Sequence, residues 1–231
     1  MNRRNFNHLL LGAMSIPQLI SCGNNSDEEV IKHMDIEIPK FSKENLHKNL
    51  DRLLKAFEAR GMLMDDSLLP AMTESEIKAK CSWFPGVLTE EIIALYQWRG
   101  GQKEDVWNSE ISFLFRDNSF CSIERAEIEY KNMMNYGIDP EIHEMLKYSF
   151  PIAAFDGALY VIPTTNHIFN SALNRPIISV FEGIDIYYYS IEKMVETCVD
   201  WEKQKNNSNE KFDNDETEFD IWNKHNPGIF S

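Results

Sequence analysis

Two features predict a domain that mixes α-helices with antiparallel strands. Apolar residues recur at helical spacing towards both ends of the chain. Between them lie two apolar stretches, each split by an acid-Gly pair, that read as successive hairpins. The chain has 231 residues and is 43% hydrophobic, enough for one sizeable core. One domain with extensions is therefore the expected organisation, with the domain spanning 42–203.

The first helix signal begins at Ser42, a good N-cap. Leu46, Leu50, Leu53, Leu54 and Phe57 follow at helical spacing, and Gly61 ends the run. Thr73-Glu74-Ser75-Glu76 is a capping box that opens a second helix towards Trp83, broken by Pro85 and Gly86. Thr89 opens a third, with Ile92, Ile93, Leu95 and Tyr96 on its apolar side, and Gly100-Gly101 stops it after Trp98-Arg99. Ile111 to Phe120 is short and apolar but interrupted by Arg116-Asp117-Asn118, which suggests a hairpin or two short strands. Ser122 caps a helix with Ile123, Ala126, Tyr130 and Met133 on one face, ended by Gly137.

The clearest strand signal is Ile152-Ala153-Ala154-Phe155, then Asp156-Gly157, then Ala158 to Ile162. An Asp-Gly pair between apolar runs favours a tight hairpin, because both residues tolerate positive φ. The pattern recurs as Ile177 to Phe181, Glu182-Gly183, and Ile184 to Tyr189. Phe155-Asp156-Gly157 and Phe181-Glu182-Gly183 thus read as equivalent corners. Pro163 to Pro176 is a polar connecting loop. After Ser190, the residues Ile191, Met194, Val195 and Cys198 mark a closing helix.

The two ends of the chain have other purposes. Residues 1–21 read as an export signal: Arg3-Arg4 precede a twelve-residue apolar run from Leu9 to Ile20, too short to span a bilayer. Arg3-Arg4-Asn5-Phe6 resembles a twin-arginine signal. Leu19-Ile20-Ser21-Cys22 resembles a bacterial lipobox, which makes Cys22 the expected lipid-attachment site and places the protein in the cell envelope, outer membrane rather than inner because Gly23 is no retention signal. Residues 22–41 form a polar tether. Its acidic run Ser26-Asp27-Glu28-Glu29 is either a surface-display signal or a solvated spacer. Residues 204–231 read as an acidic linker and a short docking tail: Asn206 to Asp220 carries six acids and one Lys, and Phe219, Trp222 and Phe230 would be liabilities if left exposed.

Charge and cysteine usage narrow the function. The formal net charge is −14, and removal of 1–21 takes away Arg3 and Arg4 but no acid, leaving −16. This disfavours nucleic acid as a partner and fits either a soluble protein or one whose partner is basic. Four Cys show no C-x-x-C and no zinc spacing with His, so no structural metal is expected. With Cys22 lipidated, Cys81, Cys121 and Cys198 are expected to be buried thiols.

Taken in order, Leu95-Tyr96-Gln97-Trp98-Arg99-Gly100-Gly101, Phe150-Pro151-Ile152-Ala153, Phe155-Asp156-Gly157, Val180-Phe181-Glu182-Gly183 and the closing helix to Trp201 resemble the SUKH superfamily of Smi/Knr-like proteins. The resemblance spans roughly Leu46 to Trp201. The family's Trp-Arg-Asn-Gly pattern has Gly100 in place of Asn. The resemblance implies a single α+β domain with an antiparallel-rich sheet flanked by N- and C-terminal helices. It also implies a non-enzymatic role without cofactors. Bacterial members are typically immunity proteins that neutralise a cognate toxin, and fungal relatives are regulatory interaction proteins of cell-wall assembly. Trp98, Gly101, Phe155, Asp156, Gly157, Glu182 and Gly183 carry the motif, in a structural or partner-facing role.

The residues themselves offer little for catalysis. His143-Glu144 begins like a zincin box, but Lys147 stands where the second His is required. There is no Gly-x-Ser-x-Gly and no phosphate loop. Asp156 and Glu182 are explained by their turn positions better than as a carboxylate pair. A weaker hydrolase alternative would draw on His143, His167, Asp156 and Glu182. Trp98 reads as a core residue sealing a helix end. Strand alternation puts Tyr188 on one face and Tyr187 and Tyr189 on the other, beside Asp185. Asp185, Tyr187 and Tyr189 are thus candidates for partner binding, with an ordinary solvated strand face as the alternative. The expected function is a membrane-tethered binding protein that occludes a basic toxin domain. The alternative is an envelope scaffold or regulator.

Overall fold

The computed structural model describes residues 40–103, 113–135, 140–165, 175–181, 183–207 and 215–229. The expected signal with Arg3 and Arg4, the position Cys22, nearly all of the tether, Glu182 and His167 lie outside these residues. Among the described residues, seven α-helices flank a five-stranded antiparallel sheet, an α+β arrangement.

Helix α1 spans Lys43–Glu58. The Ser42 side chain accepts from the Asn45 amide, and Leu46, Leu50, Leu53 and Phe57 are fully buried along one stripe. A 3₁₀ turn at Met64–Ser67 leads to α2, Glu74–Lys80, whose capping box forms as the sequence predicts. Helix α3, Glu90–Trp98, is capped by Thr89. Helix α4 spans Ile123–Asn135, with Ile123, Ala126 and Met133 buried and Tyr130 partly so. Helix α5, Pro140–Leu146, is not anticipated by the sequence reading. Its signals are Pro140 at the first helical position and the fully buried Leu146 at its end.

The sheet is a simple meander. Strands β1 (Ser119–Phe120), β2 (Ser149–Phe155), β3 (Ala158–Pro163), β4 (Ile177–Val180) and β5 (Ile184–Tyr188) lie side by side in chain order. Both expected hairpins are present, β2–β3 and β4–β5. The segment read as a hairpin or two short strands forms a tight turn, Phe115–Asn118, and the single short strand β1. Arg116 takes φ 55° there, a left-handed conformation unusual for its type. Strand β2 carries a bulge at Ile152, whose carbonyl accepts from the Cys121 amide.

Helix α6, Ile191–Asn207, packs against α1 and runs past the expected boundary at 203. Helix α7, Asp215–His225, begins inside the stretch read as a solvated linker and runs into the expected docking tail. The correction has a physical cause: Trp222 is buried to 3% exposure, so tertiary contact overrides the polar composition. The core is one contiguous cluster drawn from every layer, and Cys81, Cys121 and Cys198 sit in it as buried thiols. Burial pushes the Cys81 and Cys198 thiols up to about 12, so neither is a nucleophile at neutral pH.

Candidate functional site

The Trp98–Gln102 segment is structural. The Trp98 ring is buried, and its indole Nε1 donates to Asp51 Oδ1 at 2.8 Å. Arg99 reaches back to Asp65 at 2.9 Å. Gly100 donates its amide to the Leu69 carbonyl, and Gly101 returns its carbonyl to the Leu69 amide. Gly101 has φ +106°, and a Cβ there would stand 2.4 Å from the Ser122 amide nitrogen, so only glycine fits. Gln102, which sequence reasoning passes over, then anchors β1. Its buried Oε1 accepts from the Leu114 and Phe120 amides at 3.1 and 2.9 Å. A glutamine directly after a diglycine helix stop was the available signal.

The hairpin corners behave differently from each other. Asp156 (φ 49°) and Gly157 (φ 85°) form the tight turn the sequence predicts. Gly183 is not in the left-handed region; there the Phe181 amide donates to the Gly183 carbonyl across the corner. The corners are thus similar in sequence but not in backbone. Register places both corners and the Phe115–Asn118 turn at the same end of the sheet: Ser119 pairs Ala154, and Leu159 pairs Val180. This rim presents Asp117, Asp156 and Asp185, all exposed, and Phe181, a large apolar residue left 39% exposed. Phe155 is half-buried and packs at a tilt against Phe113, with ring centroids 4.3 Å apart.

The tyrosine strip corrects the sequence expectation. Tyr187 and Tyr189 are not open to a partner, because α7 and the residues after it cover them. A bulge at Tyr187, where Ile177 pairs Tyr188 and Ile178 pairs Ile186, breaks the alternation on which the expectation rested. Both Tyr187 and Tyr188 therefore meet the Tyr160 ring. Trp222 Nε1 donates to the Tyr187 carbonyl at 3.1 Å, and Asn226 Oδ1 accepts from the Tyr189 amide at 3.1 Å. The Tyr189 hydroxyl donates to the Pro227 carbonyl. Of the three candidates, only Asp185 is exposed.

Two polar clusters fasten this cover. The Arg116 guanidinium lies 3.7 Å over the Trp201 ring and donates to Tyr187 Oη and Glu218 Oε2, each at 3.0 Å. His225 bridges two α6 carboxylates, with Nε2 2.9 Å from Asp200 and Nδ1 3.4 Å from Glu196. That contact, followed by the bond from Lys193, holds the Glu196 carboxyl down at about 2 against the opposing effect of burial.

Of the weaker hydrolase set only His143 and Asp156 are among the described residues, and they lie apart. His143 lies on α5, before the start of β2, while Asp156 lies beyond its far end. Lys147 pairs with Glu144 at 3.2 Å. Among the described residues no group of three or more His, Cys, Asp or Glu could hold a metal. No described helix is long and apolar enough to cross a membrane. Neither a protein-family model nor a curated protein matches the chain.

Proposed function

We propose that this protein is a membrane-tethered, non-enzymatic binding protein of the SUKH type, an immunity protein that neutralises a cognate toxin by stoichiometric occlusion. The observation that carries the reading is the rim at one end of the sheet. Three exposed carboxylates, Asp117 and Asp156 on tight turns and Asp185 at the start of β5, share this rim with the exposed ring of Phe181. An apolar anchor amid acids suits a basic protein surface, and the overall charge of −14 adds long-range attraction. The order of motifs from Trp98 to Gly183 supports the family, and the lipobox ending at Cys22 supports the envelope location.

The test is co-expression with each protein encoded beside this gene, scoring survival and co-purification. Rescue and a salt-sensitive one-to-one complex with one neighbour are expected, with rescue lost in Cys22→Ala. Asp156→Lys and Phe181→Asp should each weaken that complex by about tenfold or more without unfolding the domain. Absence of rescue and of any complex would replace this reading with the envelope scaffold.

A further inference from the structure

A cleft of about 280 Å³ lies between α1 and the first turns of α6, away from the acidic rim. Asn45, Lys48, Asn49 and Arg52 line it from one face of α1, at i, i+3, i+4 and i+7 spacing. Ser190, Glu192, Lys193 and Glu196 line it from α6, and Lys40 closes it. In a chain of net charge −14, four cations converge here. Two carboxylates, Glu192 and Glu196, share the lining; Lys193 is paired with Glu196, which leaves Lys40, Lys48 and Arg52 as the cations facing the cleft. Glu196 is already committed to Lys193 at 2.9 Å and to His225. Glu192 accepts a bond from the Ser42 backbone, and burial raises its carboxyl above the ordinary range. Among the described residues Lys40, Lys48 and Arg52 make no ion pair, while Asn49 Oδ1 holds the Arg52 guanidinium at 2.7 Å. The N-terminal end of α6, a seventeen-residue helix, adds its positive dipole end at Ser190–Glu192.

We infer that this cleft binds a phosphate group, and that anionic membrane lipid headgroups supply it. The chemistry is that of a phosphate site: a guanidinium oriented by a neighbouring amide, ammonium groups around it, and a helix N-terminus at its wall. The lipid source is argued from position. Lys40 opens the described domain and stands eighteen residues after Cys22, so the cleft lies where the tether enters. Occupied by headgroups, it would hold this face against the bilayer. The acidic rim, repelled by the same surface, would face away from it. The lipid half of the inference rests on the envelope reading; the phosphate half does not.

The experiment uses the full chain carrying Cys22→Ala in every arm, so lipidation does not enter. Flotation with phosphatidylglycerol and phosphatidylcholine vesicles is compared, together with NMR titration by glycerol phosphate. The expected result is glycerol phosphate shifts confined to the cleft and stronger binding to phosphatidylglycerol, falling with salt. Lys48→Glu with Arg52→Glu should weaken both by about tenfold or more. Lys78→Glu with Lys131→Glu changes the net charge equally on α2 and α4 and should leave the cleft's binding intact. Circular dichroism checks that each variant is folded. Glycerol phosphate binding without a preference for phosphatidylglycerol would overturn the lipid source and leave a soluble phosphate ester. No shifts in the cleft, or equal loss in the control pair, would overturn the site. None of these outcomes depends on whether a toxin partner exists.

Discussion

Three glycines of the motif segments have different physical roles. Gly101 combines φ +106° with backbone atoms of Ser122 where a Cβ would stand. Gly157 has φ +85° but open space around it, and Gly183 has neither constraint, with Asp185 Oδ2 at 3.9 Å and the Phe181 carbonyl oxygen at 4.0 Å, both ordinary contacts. Gly101→Ala should therefore destabilise the protein by roughly 3 kcal/mol, Gly157→Ala by roughly 1 kcal/mol, and Gly183→Ala by a few tenths at most. Urea denaturation of the three variants measures this order; equal effects would refute it. Arg116 gives a second test at this scale. Its removal leaves the Glu218 carboxylate and the Tyr187 hydroxyl without a shared donor in a buried setting, so Arg116→Ala should cost about 3 kcal/mol. Glu218→Gln in the same background should cost less than it does in the wild type, and a double-mutant cycle reads the difference.

At the scale of elements, α7 decides what the sheet shows to solvent. Strand β5 is an edge, and edges invite pairing with other chains. Here Trp222 and Asn226 bond to its carbonyl and amide groups around Tyr187–Tyr189, so this part of the edge is covered from within. Trp222→Ala should lower stability by about 3 kcal/mol. Asn226→Ala should raise hydrogen exchange at the Tyr189 amide with little change at Leu53 in α1, as mass spectrometry on peptic fragments would record. Unchanged exchange at Tyr189 would mean that α7 does not protect the edge. Helix α7 was only half legible: Trp222 and Phe219 signalled docking, of which Trp222 is buried and Phe219 stays exposed, and six acids in fifteen residues read as a solvated linker. Whether a polar segment folds depends on the surface it meets, which composition does not record.

For the whole molecule, the acidic charge and a few low carboxyls set the response to pH. Glu196, held at about 2, contributes stability that is present above its ordinary value of 4.5 and is lost as pH falls from there towards 2. Asp200 is also lowered: burial opposes ionisation, but the bonds from Lys224 and His225 outweigh it. Glu192, raised by burial, acts in the opposite sense and makes the loss smaller. Acid should therefore loosen α7 in this window before the rest of the domain unfolds, seen as a change in Trp fluorescence that Trp222→Phe removes. His225→Gln deletes the largest cause of the Glu196 shift and should flatten the response; an unaltered acid profile would exclude this bridge as its origin.

The sequence by itself determined the elements whose signals are local. Ser42, Thr73 and Thr89 cap helices because a side-chain oxygen three residues upstream of an orphan amide suffices. Asp156-Gly157 turns a hairpin because both residues accept positive φ. It likewise marked Trp98 as core and the three thiols as buried. Tertiary structure alone decided the rest. A one-residue bulge at Tyr187 and the docking of α7 turned an expected partner surface into an internal contact. Three turns distant in sequence met at one rim, and α1 met α6 around a cationic cleft. Register, docking and convergence depend on residues far apart along the chain, and no window of local sequence contains them.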